Sequence, residues 1–132
     1  MEEKASMERT RQIFAQYHRF DDGALVSFEQ AYGPRGVQSV RIVVYARNHE
    51  LEGNIWRKVA ITVGEVREVL VRTPGNFINR ICCGVKLLHF GDVWCVDLDG
   101  TYLHDEPATL DEVRRDGDCY VIGGTVEAVE LD

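Results

Sequence analysis

A chain of 132 residues, 45% hydrophobic and 28% charged, has the size and composition of one globular domain, which excludes a disordered or fibrous protein. The net charge of −7 argues against nucleic acid as a partner, because such binding needs Lys and Arg to displace counterions from phosphates. No apolar run approaches the roughly 18 residues of a membrane-spanning helix, so no membrane role is expected. The polar start Met1-Glu2-Glu3-Lys4 lacks the apolar stretch of a secretory signal and points to the cytoplasm.

The acidity is uneven. Residues 1–96 carry 13 Lys and Arg against 11 Asp and Glu, whereas residues 97–132 carry 2 against 11. An acidic C-terminal stretch suits a basic protein surface. Of the four cysteines, Cys82, Cys83, Cys95 and Cys119, the only close pair is adjacent. That spacing fits neither a C-x-x-C metal knuckle nor a disulfide framework, so reduced thiols acting as small apolar side chains are expected.

Along the chain, Met7, Ile13, Phe14 and Tyr17 fall at helical intervals and predict an amphipathic helix over residues 5–18. Asp21-Asp22-Gly23 supplies the turn out of it. Alternation then predicts a strand from Ala24 to about Tyr32, and Gly33-Pro34-Arg35-Gly36 a turn. The β-branched run Val40, Ile42, Val43 and Val44 predicts a central strand. After a polar loop, Ile55 to Val63 and Val66 to Val71 read as two strands separated at Gly64-Glu65.

Phe77 to Phe90 and Val93 to Leu98, flanking Gly91-Asp92, predict a hairpin. Thr109-Leu110-Asp111-Glu112 fits a capping box, starting a short helix to about residue 115. Cys119 to Leu131 reads as a last strand or strand pair broken at Gly123-Gly124. The expected fold is α+β: one domain over residues 1–132, with an N-terminal helix on a curved, mostly antiparallel sheet of seven or eight strands, a partly closed meander over residues 24–131.

Motifs for chemistry are absent. There is no G-x-S-x-G, P-loop or dinucleotide fingerprint, and His18, His49, His89 and His104 show no metal-ligand spacing. Asp97-Leu98-Asp99-Gly100 begins like an EF-hand loop, but position twelve is Ala108 where the loop needs Glu, so a strand end entering an Asp-Gly turn is the expectation. No catalytic, cofactor-binding or metal-binding residue is assigned, and no cofactor is expected. Asp22, Asp97, Asp99 and His104, which stands beside Asp105, are the residues to follow for acid–base work. Among the aromatics Tyr45, Trp56, Trp94 and Tyr102, Trp56 shares a strand face with Lys58 and Thr62 and is the one expected at the surface.

From Phe20 to Phe28 the chain resembles small bacterial domains in which a helix ends in a Phe-His-Asp-Ala type motif and feeds a β meander, with Asp21 in place of the His and Gly23 in place of the Ala. Those domains are grouped with immunity proteins of polymorphic toxin systems. The resemblance continues through Val66 to Val69, Asn76-Phe77-Ile78 and Tyr120 to Gly124. It implies a non-catalytic protein that neutralises a cognate toxin. Trp56 and the acidic Asp111, Asp116 and Asp118 are the expected contacts to a basic toxin domain. The alternatives are a small-ligand carrier built on the curved sheet and a small enzyme without a known motif. A purely structural subunit that forms a homodimer by self-pairing of an uncovered apolar sheet edge is a further alternative.

Overall fold

The computed structural model describes residues 2–73, 75, 78–103 and 106–131. The predicted N-terminal helix is present but shifted: α1 runs Glu2–Gln16. It stops early because His18, Arg19 and Phe20 all take left-handed backbone angles, φ 49°, 56° and 62°. That turn swings Phe20 back beneath the helix, with its ring centroid 5.1 Å from Phe14 and 5.5 Å from Tyr17. Left-handed angles cost about 1–2 kcal/mol for each such residue, and complete burial of Phe20 offsets part of this by about 1.5–3 kcal/mol.

The sheet has six strands, where seven or eight were expected, and it is not closed. They are β1 (Ala24–Tyr32), β2 (Gln38–Arg47), β3 (Trp56–Val71), β4 (Val85–Phe90), β5 (Val93–Leu98) and β6 (Cys119–Leu131). Two of the expected breaks are absent. β3 runs straight through Gly64-Glu65, absorbing the change of phase in a bulge at Val66/Glu68 with Glu65 at φ 49°. β6 likewise runs through Gly123-Gly124, where a Cβ at position 123 would lie 2.6 Å from a Val63 methyl group.

The order is β1-β2-β3-β6-β5-β4, antiparallel throughout. It is therefore two meanders joined by the long β3–β6 pair, not one continuous meander. The predicted hairpin is present with its arm shortened to β4. Residues 78–84 instead form a strap that crosses from β3 to β4 by way of the start of β1. Leu25 N donates to Asn79 O at 2.8 Å, and Ile81 N to Gly23 O at 2.8 Å. Gly23 is needed at this crossing, since a Cβ there would sit 2.8 Å from Tyr45 O and 2.9 Å from Phe20 O.

Side chains alternate as the register demands. Val40, Ile42 and Val44 of β2 and Val59, Ile61 and Val63 of β3 are fully buried on the inner face, against Ile13, Phe14, Tyr17 and Phe20. β5 pairs with β6 only over residues 120–123, which leaves the far end of that β6 edge without a strand. There α1 covers it, and buried Thr10 Oγ1 accepts the Ala128 N–H at 3.1 Å.

A second core lies on the opposite face. α2 (Leu110–Asp116) places Val113 over Leu88, Cys95, Tyr120 and Ile122. The capping box starts it as expected: Thr109 Oγ1 accepts from Glu112 N at 3.2 Å, and Glu112 reaches back to Ala108 N at 2.8 Å. Among the described residues no helix is long and apolar enough to cross a membrane.

Candidate functional site

α2 covers the outer face beside β4, β5, the start of β6 and the end of β3, where Leu70 joins its cluster and Arg114 reaches Glu68. Over β1, β2, the first half of β3 and the end of β6, no helix among the described residues covers that face. The register aligns Ser27, Val43, Ala60 and Val129 across these four strands, and Tyr45 lies opposite Lys58. Val43 and Ala60 are covered by their neighbours, while Val26, Tyr45, Trp56 and Val129 are 48%, 41%, 36% and 40% exposed. Tyr45 and Trp56 touch, with ring centroids 5.5 Å apart, and Trp56 Nε1 donates to Asn54 Oδ1 at 3.1 Å. The tryptophan expected at the surface is there, held in one orientation by a ring on one side and a hydrogen bond on the other. Arg41, Lys58, Glu29 and Glu127 surround the strip with both signs of charge.

The three acidic residues named with Trp56 as partner contacts lie far from it. Trp56 opens β3, whereas Cys119, next to Asp118, pairs with Val71 at the far end of β3. The separation along the strand is roughly 50 Å at the usual rise per residue. Each carboxylate also faces an arginine: Asp111 and Arg114 at 3.6 Å, Asp116 and Arg115 at 3.0 Å, Asp118 and Arg72 at 4.0 Å. Arg114 reaches Glu68 as well, at 3.0 Å. Arg114 and Arg115 are the only Lys or Arg residues of the acidic stretch, so of these three pairs only Arg72 brings positive charge to it from elsewhere in the chain.

A cleft of about 430 Å³ opens at the C-terminal end of α1, lined by Arg11, His18, Arg19, Asp21 and Glu106 above Phe14 and Leu87. The left-handed turn builds its wall. His18 stacks on His49 at 3.7 Å, nearly parallel. Local loss of solvent in this stacked contact, and then the neighbouring His18, hold the exposed His49 imidazole below its ordinary pKa. Arg11 lies 5.3 Å over the Trp94 ring, whose other neighbour is His89 at 4.0 Å. Asp21 Oδ1 is buried without a hydrogen-bond donor among the described residues. A separate interior cavity, walled by Leu25, Phe28, Val71, Ile81, Leu98 and Cys119, holds only about 110 Å³.

Of the four residues followed for acid–base work, Asp97 and Asp99 serve the backbone. Asp97 is fully buried and accepts from Gly100 N at 3.0 Å and Tyr102 Oη at 2.8 Å. Burial raises its pKa, opposed by Tyr102, Lys86 and Gly100. Asp99 Oδ1 accepts the amides of both Cys82, at 2.8 Å, and Cys83. This is the Asp-Gly turn expected from the sequence, with each carboxylate tying a different loop. Exposed Asp22 pairs with Arg80 at 3.0 Å. His104 and Asp105 lie outside the described residues. Among the described residues no group of three or more His, Cys, Asp and Glu is placed to hold a metal.

Sequence reasoning missed Lys86, which is 3% exposed, and the cleft. The lysine had a signal: with Phe90 and Val93 flanking the tight turn, counting back along both arms puts Lys86 opposite Asp97, as observed. The cleft had none, because its shape depends on three consecutive left-handed residues of ordinary type. These features define an α+β domain with an open antiparallel sheet and one bare aromatic face. Compared with known protein families, curated proteins and solved structures, the chain matches none.

Proposed function

We propose that the chain is a non-catalytic protein-binding domain that docks through the bare outer face around Tyr45 and Trp56, and that its partner is a toxin it neutralises. The observation that carries the docking surface is the exposed, pre-oriented Tyr45–Trp56 pair flanked by Val26 and Val129. Tryptophan and tyrosine exposed at one end of a strip that carries both signs of charge are residue types enriched among interface hot spots. The toxin assignment rests on the resemblance of the Phe20–Phe28 segment to immunity-type domains. Compensation of Asp111, Asp116 and Asp118 by arginines moves the contact away from the acidic end.

The test is capture of the partner by the tagged chain, run in parallel with a Trp56→Ala/Tyr45→Ala variant, followed by a growth assay in which the captured partner is expressed with and without this chain. A stoichiometric partner lost from the double variant, together with rescue of growth, supports the reading. A partner retained by that variant removes the docking face, and absence of rescue removes the toxin.

A second reading is binding of a small polar ligand in the 430 Å³ cleft, within the size range of ligand pockets. The unpartnered Asp21 Oδ1 favours it by leaving an acceptor open. The interior cavity, at 110 Å³, is below the roughly 300 Å³ at which such pockets begin, and gives the carrier alternative little room.

A further inference from the structure

The four cysteines fall into two kinds. Cys95 is fully buried under α2, and Cys119 lines the interior cavity. Burial pushes these thiols up to about 12 and about 11, so they remain protonated at neutral pH. Cys82 and Cys83 are both exposed. Free cysteine is among the most buried residue types, and two adjacent thiols at the surface contribute little to packing.

Their setting is ordered. The strap between β3 and β4 curls around the Asp99 carboxylate, with the amides of Cys82 and Cys83 both donating to Oδ1. Asp99 N in turn donates to Gly84 O at 2.9 Å, so strap and carboxylate hold each other from both sides. The turn directs both amides at the Asp99 carboxylate, and both cysteines lie at the surface. Cys83 Sγ lies 3.7 Å from the exposed Thr101 hydroxyl. Adjacent thiols are tethered by a single peptide unit, so neither can diffuse away from the other. Their Cα atoms, about 3.8 Å apart, are closer than the roughly 4.4–6.8 Å usual for a disulfide, so closing the bond distorts the turn and gives a strained, readily reduced bridge.

We propose that Cys82 and Cys83 form a thiol-oxidation site, at which a peroxide-class oxidant converts the adjacent pair to an intra-turn disulfide. One thiolate attacks the peroxide oxygen, forming a sulfenic acid and releasing water once the leaving oxygen is protonated. The neighbouring thiolate then attacks the sulfenic sulfur, forming the S–S bond and expelling hydroxide, which leaves as a second water on taking up a proton. In total both thiols lose their hydrogens, the sulfurs give up two electrons, and one hydrogen peroxide becomes two waters. The product is a small ring containing the peptide bond between the two residues. Cys95 and Cys119 take no part.

Trypsin makes the test clean, because cleavage after Arg80 and Lys86 releases Ile81 to Lys86, which holds this pair and neither other cysteine. The native protein is treated with hydrogen peroxide, alkylated with iodoacetamide under denaturing conditions, digested and weighed. The expected peptide is lighter by two hydrogens and carries no alkyl group. Dithiothreitol before alkylation restores the doubly alkylated form. In the Cys82→Ser variant, whose substitution lies at an exposed position, the light species is absent while circular dichroism is unchanged. A peptide that stays doubly alkylated, that carries sulfinic or sulfonic acids, or that is found cross-linked between chains overturns the proposal.

Discussion

Lys86 on β4 and Asp97 on β5 stand directly opposite each other and close on the same residue, Gly100, from its two sides. Asp97 Oδ2 accepts the Gly100 N–H at 3.0 Å, and Lys86 Nζ donates to the Gly100 carbonyl at 2.9 Å and to Cys83 O at 3.3 Å. Both side chains are buried, at 3% and 0% exposure. Two desolvated charges of opposite sign thus fix the loop after β5, and a side chain on Gly100 would collide with the Asp97 carboxylate.

Removing the Asp97 carboxylate leaves the donors it satisfies without a partner, which typically costs about 1–3 kcal/mol for a buried group. Asp97→Ala is expected to lose stability in this range, since it frees the Gly100 amide and the Tyr102 hydroxyl. Urea unfolding followed by circular dichroism measures it, as a lowered midpoint at unchanged slope. A loss below about 1 kcal/mol, the value of an ordinary hydrogen bond, would show that the pair is solvated and does not hold the loop.

Burial raises the Asp97 pKa, and the Tyr102 hydrogen bond is the first of the groups that oppose it. A raised carboxylate pKa means that its contribution to stability is fully present below the unfolded value and is lost as pH rises through the folded value. Tyr102→Phe deletes a donor to the ionised form. The folded pKa of Asp97 should move further up, and the loss of stability should extend to higher pH. Carboxyl carbon chemical shifts recorded against pH give the answer directly, and an Asp97 titration identical in both proteins would exclude the coupling.

The periodic parts of the chain were legible and the aperiodic parts were not. α2 was readable from four residues because a capping box is local chemistry, and all six strands lie within runs that alternate or are β-branched. Strand number failed at Gly64 and Gly123, where glycine marks close packing of β3 on β6 and not a chain break. Order failed because β3–β6 pairing joins residues about sixty apart, and no local pattern encodes it. At the candidate interface, the exposure of Trp56 followed from Lys58 and Thr62 on the same face. The distance of Asp111, Asp116 and Asp118 from it followed only from the register.

His18 and His49 stack at 3.7 Å, and the His49 pKa is lowered by its surroundings and then by His18. A base with a depressed folded pKa contributes stability that is present above the unfolded value and is lost as pH falls through the folded value. Acidification through the ordinary histidine range should therefore loosen this contact, where Asn48 and His49 close against α1. In proton NMR, His49 should titrate below its ordinary value in the native chain and move back toward it in His18→Gln. A His49 titration that does not respond to that substitution would mean that the stacking has no electrostatic consequence.

Binding should separate the two surfaces once singled out together. Truncating a tryptophan or tyrosine at an interface centre costs about 2 kcal/mol or more, so Trp56→Ala and Tyr45→Ala should each weaken partner binding by roughly thirtyfold. Reversing Asp111, Asp116 and Asp118 to Lys acts at the other end of β3, on carboxylates already facing Arg114, Arg115 and Arg72. Affinity should then change by less than about threefold, the scale of exposed ion pairs, and its salt dependence should stay the same. Titration calorimetry at two ionic strengths measures both quantities. A large loss in the charge-reversed variant with Trp56→Ala unaffected would return the contact to the acidic end, with electrostatic steering of a basic partner in place of aromatic docking.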